Sequence, residues 1–150
     1  MILVDKIIET ELGTIQKVVV EKMQFLYTEV SNDIESQKKT WPEFEARFPS
    51  LTGRKMYGLD YGKSNLYRVC SLVRESDNGE TFGLNQFEFE EGTYMRLRLK
   101  FEPPELYEKI GPAYTLLIGQ YEGSINWSLP LIEHYKAKNI LDIMVPVAKQ

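Results

Sequence analysis

Cysteine and histidine are almost missing from this chain. One of each occurs in 150 residues, Cys70 and His134. A lone cysteine excludes an intramolecular disulfide and points to a reducing compartment. Cys70 lies in the strand-like run "YRVCSLV", with no activating motif beside it, so it reads as a small packed residue rather than a nucleophile. A lone histidine argues against His-rich metal sites and Ser-His-Asp chemistry. CxxC pairs, Walker loops and GxGxxG are also missing from the sequence. There is no basic run, and the formal charge is −4, so nucleic acid is a poor partner, because phosphate binding needs clustered Lys and Arg. Long apolar runs are lacking too. The opening "MILVDKII" is too short for a signal peptide, and no stretch is long enough to span a bilayer. The expectation is a cytoplasmic protein with no metal, no cofactor, no direct nucleic-acid contact and no membrane contact.

Aromatic residues, by contrast, are plentiful: nine Tyr, seven Phe and two Trp. They suit a core, and they suit a pocket for flat organic molecules equally well. The length fits one domain over residues 1–150 that can bury a core without staples. The chain also repeats itself. "VVVEKMQFLYTEV" (18–30) and "YMRLRLKFEPPEL" (94–106) each pass from a strand-like into a helical pattern. Aligning Phe25 with Phe101, 76 residues apart, also pairs Glu29 with Glu105, Val30 with Leu106 and Ile34 with Ile110.

The second helix carries an apolar stripe at Leu106, Ile110, Ala113, Tyr114, Leu117, Ile118 and Tyr121. Pro103 and Pro104 fit its first turn, and Pro112 should kink or divide it. The first helix is expected to start near Thr28 and to restart at "TWPE", with Thr40 as N-cap and Trp41, Phe44 and Phe48 on its apolar side. Two strands follow each helix. "RKMYGLDYG" and "NLYRVCSLVRE" turn at Gly62 and Asn65; "PLIEHYK" and "ILDIMVPV" turn at Lys138 and Asn139. "ESDNGETFG" (75–83) reads as a loop between the halves. The predicted fold is α+β: two βαββ units, over about 15–74 and 84–147, packed by a pseudo-twofold axis with a cleft at their junction.

These four stretches together resemble the GyrI-like small-molecule-binding domains, the effector-binding domains of bacterial regulators that sense drugs. The matching features are "VVVEKMQF", "EFEEGTYMRLRLKF", "YEKIGPAYTLL" and "PLIEHYKAKNILDIMVPV", in that order, from about Ile15 to Val147. The resemblance implies a cleft for bulky, often cationic aromatic compounds, lined by aromatic side chains around a buried glutamate. Glu133 stands at that glutamate's position, and Tyr135 follows it. In regulators the domain comes after a helix-turn-helix; only about fourteen residues precede the first strand here, so that module is expected to be absent. Some members of the family resemble hydrolases that open cyclopropane-containing genotoxins. In that alternative Glu133 is the general base on water and Tyr135 polarises the electrophile. A third alternative is a protein-interaction module such as a gyrase modulator.

The residues alone leave Glu133 open between two roles. It pairs with an arginine or lysine at a sheet margin, or it waits in an apolar cleft for a cation or a water. Alternation along "PLIEHY" puts Leu131, Glu133 and Tyr135 on one face and His134 on the other. Trp127 is a candidate pocket wall. Tyr57 and Tyr61, on the first-half strand that corresponds to "IEHY", are expected to face the same cleft by pseudo-symmetry. Phe87 is a further candidate for lining it, and Arg96, Arg98 and Lys100 read with Tyr94 as a solvated face. The expected function is binding of amphipathic, cationic aromatic molecules, for drug sensing or sequestration.

Overall fold

The computed structural model describes residues 2–3 and 7–148. Its strands are β1 (Ile2–Leu3), β2 (Ile8–Glu9), β3 (Thr14–Val20), β4 (Met23–Ser31), β5 (Met56–Tyr61), β6 (Leu66–Leu72), β7 (Asn85–Phe89), β8 (Gly92–Lys100), β9 (Leu131–Ala137) and β10 (Ile140–Pro146). Its helices are α1 (Ile34–Glu45), the short α2 (Gly79–Phe82), α3 (Glu105–Glu108) and α4 (Ile110–Gln120). All strands join one antiparallel sheet in the order β1-β3-β8-β10-β9-β5-β6-β4-β7, with β2 on β3. The units β4-α1-β5-β6 and β8-α3/α4-β9-β10 meet at β5 and β9, which gives the expected pseudo-twofold βαββ pair.

The leading strands are exchanged. β3 runs into β4 through Glu21 and Lys22 alone, yet β3 pairs with β8 of the other unit. Likewise β7 runs into β8 through Glu90 and Glu91, yet pairs with β4. Each link joins strands six places apart in the sheet order. Laid flat, six spacings span about 29 Å, whereas a three-residue step reaches at most about 11 Å. The sheet must therefore curl until its two ends approach. Its concave face encloses one apolar cluster that includes Val18, Val20, Phe25, Tyr57, Leu59, Cys70, Phe89, Tyr94, Ile132 and Met144. The convex face carries the helices: α4 over Leu97, Leu141 and Ile143, and α1 over Leu26, Tyr67 and Val69.

Several local expectations change. Helix α1 starts at Ile34, not near Thr28, because β4 continues to Ser31 and Asp33 supplies the N-cap, its carboxylate accepting from the Ser36 amide at 2.8 Å. The helix then runs unbroken through Pro42, and Thr40 is buried inside it rather than capping it. The second helix does divide, at Lys109, so that Pro112 falls in the first turn of α4, where a missing amide donor costs little. The expected loop 75–83 contains α2, capped by Asn78. The 76-residue alignment fails in detail: Phe25 lies inside β4, near its start, whereas Phe101 lies just beyond β8. β4 and β8 start 69 residues apart, at Met23 and Gly92, while β5 and β9 start 75 apart, at Met56 and Leu131. The second unit is longer between these strands, in both its strand-to-helix link and its helical stretch.

Tyr94 is fully buried on the concave face, not on a solvated one, and donates from its hydroxyl to the Pro130 carbonyl at 3.0 Å. Arg98 makes a two-pronged contact with the buried Asp142 at 2.8 and 2.9 Å. Opposite Asp142 in register stands His134, only 7% exposed and stacked on Tyr57 with ring centroids 4.2 Å apart. Burial lowers its pKa to about 4; Asp142 opposes the shift, while Lys136, Lys55 and Arg98 add to it. The unfolded chain binds the imidazole proton near pH 6.5, and the folded chain resists it until about 4, so stability must fall as pH drops through this window. Replacing His134 with Gln should flatten that part of the stability–pH curve. Chemical denaturation at half-unit pH steps measures it; an unchanged slope in the variant would show that His134 does not carry the effect.

Candidate functional site

Glu133 lies at the centre of β9, where β9 meets β5, and is 6% exposed. The register sets Gly58 directly opposite it. Strand alternation turns it to the helix-bearing face together with Leu131 and Tyr135. Three tyrosine hydroxyls donate to its carboxylate. Tyr67 of β6 and Tyr135 of β9 reach Oε1 at 2.7 and 2.8 Å, and Tyr114 of α4 reaches Oε2 at 3.2 Å. A carboxylate offers about four lone-pair positions, so one acceptor position on Oε2 is left. Among the described ion pairs none involves Glu133, so the margin-charge alternative is not what the fold adopts.

Burial raises the Glu133 pKa, and the hydrogen bonds from Tyr67, Tyr135 and Tyr114 oppose that shift. Burial, with the neighbouring carboxylate, holds all three phenols well above their ordinary value, so they remain donors. Trp41 of α1 packs edge-on against Tyr135, ring centroids 5.0 Å apart. The cluster therefore draws on α1, α4, β6 and β9 at once. A hollow of about 540 Å³ opens beside it, lined by Tyr114, Ile118 and Trp127 among others. A second, of about 200 Å³, runs from Asp60 to Trp127 and Leu129. Trp127 is 42% exposed and lines both.

Of the residues singled out in the sequence, Glu133, Tyr135 and Trp127 are on or beside this cluster. Tyr57 and Tyr61 point to the concave face, Tyr57 onto His134, although Tyr61 also lines the second hollow with Asp60 and Trp127. An even offset of 76 lays Tyr57 over Glu133, but the observed β5–β9 offset is odd and lays Gly58 there instead. A one-residue slip sends every side chain to the other face. Phe87 is also on the concave side, against Phe25 and Tyr27. Tyr67, Tyr114, Trp41 and Gly58 were missed as site residues. Tyr114 and Trp41 were on the helices' apolar stripes, and Tyr67 shares the parity that β5 and β6 impose.

Gly58 is required by this packing. A Cβ there would lie 1.9 Å from the Tyr67 hydroxyl oxygen and 2.9 Å from Glu133 Oε1. Tyr67 is only 1% exposed and has nowhere to go. Gly58→Ala should destabilise by about 1–3 kcal/mol, the range for an overpacked core, and adding Tyr67→Phe should restore part of the loss. Urea unfolding of the two single variants and the double variant tests this; additive losses would show that Gly58 and Tyr67 are not coupled.

No family model and no curated protein sequence matches the chain, but solved structures do. The integron cassette protein from the mobile metagenome of Vibrio cholerae superposes with a TM-score of 0.70 at 13% identity, over 89% of this chain and 95% of that one. SAV2435, solved bound to tetraphenylphosphonium, gives 0.63 at 14% identity over 89% and 93%. The EcmrR C-terminal domain gives 0.64 at 15% identity over 91% and 98%. With its paired βαββ units, exchanged leading strands and flanking helices, the chain has the GyrI-like effector-binding fold.

Proposed function

We propose that this protein binds amphipathic aromatic cations in the cleft beside Tyr114 and Trp127, with Glu133 as the countercharge. The observation that carries the reading is a buried carboxylate with three phenol donors, no cation paired with it among the described residues and one acceptor position remaining. Phenols orient the carboxylate and leave its charge in place. A cation from outside completes the neutralisation, and an aromatic one also gains contact with Trp41, Tyr135 and Trp127. That SAV2435 takes tetraphenylphosphonium on the same fold supports the ligand class. In the cell, this reading makes the protein a drug sensor or sequestering protein. The single, buried Cys70 fits a reducing cytoplasm.

Glu133→Gln keeps the shape and removes the charge. It should weaken an aromatic cation such as tetraphenylphosphonium by roughly 1–3 kcal/mol, while a neutral ligand of the same outline changes little. Calorimetry on the matched pair decides. Equal losses for both ligands would assign Glu133 to the fold instead of the ligand. The same free position on Oε2 would also seat a water for general-base hydrolysis. A product assay with a strained-ring electrophile separates that reading, because turnover abolished in Glu133→Gln would mark an enzyme.

The raised pKa of Glu133 adds a pH signature. Below that raised value the carboxyl is protonated and offers a cation no charge. Affinity for a permanently charged ligand should therefore climb as pH rises above the ordinary carboxylate range, and Glu133→Gln should abolish the climb. Titrations from pH 4 to 8 check it; a wild-type affinity that is flat over this range would remove Glu133 as countercharge.

A further inference from the structure

The same cleft holds a second carboxylate that no described ion pair neutralises. Asp60 of β5 stands opposite Leu131 of β9, and Glu133 lies two residues further along β9. Both side chains are on the helix-bearing face, as diagonal neighbours about 7 Å apart at Cβ. Asp60 Oδ1 accepts from Asn32 Nδ2 at 2.8 Å, and Asn32 Oδ1 accepts from Gln37 Nε2 at 2.8 Å. This chain fixes the carboxylate without cancelling its charge. Lys63 lines the same hollow, but it is exposed and forms no described ion pair with Asp60.

The two acids act on each other. The charge of Asp60 works against ionisation of Glu133 and of Tyr114, which sits close to both. Like charges on one face repel less once cations reach them. Trp127 bridges the two positions: it lines the hollow that ends at Asp60 and the one that includes Tyr114, whose hydroxyl donates to Glu133.

We infer that the cleft selects aromatic dications, with one cationic centre held at Glu133, the other at Asp60, and the ring between them against Trp127. The inference rests on the reading of Glu133 as countercharge and adds a second anchor with a defined spacing. It implies discrimination by charge number as well as by sign, and a preference for cations set on opposite ends of one ring.

Para-xylylene-bis(trimethylammonium) and its carbon isostere 4-neopentylbenzyl-trimethylammonium share an outline and differ by one charge. Calorimetry with the intact protein should find the dication bound about tenfold more tightly, the size of one charge-assisted contact. Asp60→Asn, which can keep the Asn32 hydrogen bond, should weaken the dication about tenfold and the monocation about twofold. Asp60→Ser serves as a second variant, with circular dichroism confirming that each is folded. If the wild-type protein binds both probes equally while Glu133→Gln weakens both, the second anchor is wrong and the first stands. If Glu133→Gln affects neither probe, both readings fall.

Discussion

Moving a carboxylate out of water costs several kcal/mol unless other groups replace its hydration. At Glu133 the replacements are phenols, drawn from a helix and two strands of both units. Tyr67 comes from β6, Tyr114 from α4, and Tyr135 from β9 itself. Each must arrive within about 3 Å, so the positions of these elements are coupled through one side chain. Gly58 is part of the same constraint, because the Tyr67 hydroxyl occupies the space that any larger residue would need. The pseudo-twofold junction between β5 and β9 thus also holds two carboxylates, Glu133 and Asp60, that no described ion pair neutralises.

The two faces of the sheet divide the work. The concave face, closed by the curl of the sheet, packs Phe25, Tyr57, Tyr94 and Met144 into a sealed core. On this face Arg98 meets Asp142, and His134 stays neutral by burial. The helix-bearing face is covered in two separate patches by α1 and α4. Between them runs the seam in which Glu133 and Asp60 lie.

Much of this was legible from residue order. Periodicity located the strands and the apolar stripe of the second helix, and alternation along "PLIEHY" separated Glu133 from His134. The facing expected of Tyr57 and Tyr61 differs from the observed one for a physical reason. Strand facing depends on whether an offset is odd or even, and a weak repeat fixes an offset only to within a residue or two. The units also differ in link and helix length, which no single shift can absorb. Tyr67 and Tyr114 could not be joined to Glu133 because that needs register across β5, β6 and β9, information that lies in pairing and not in any local pattern. The continuity of α1 through Pro42 went unseen because its strong cap, Asp33, lay outside the stretch read as the helix start.

The exchange of leading strands also bears on how the chain comes to be folded. Thr14 of β3 finds its partner in Arg98. At synthesis rates of about 5–20 residues per second, that partner emerges roughly 4–17 s later. Until then Ile15, Val18 and Val20, all later buried, have no strand to cover them on the β8 side. Sheets built from such distant pairings fold slowly, since loop closure precedes any gain from contact. Lys17, Glu21 and Lys22 interleave and flank these apolar residues, and charges so placed discourage pairing with other chains during the wait.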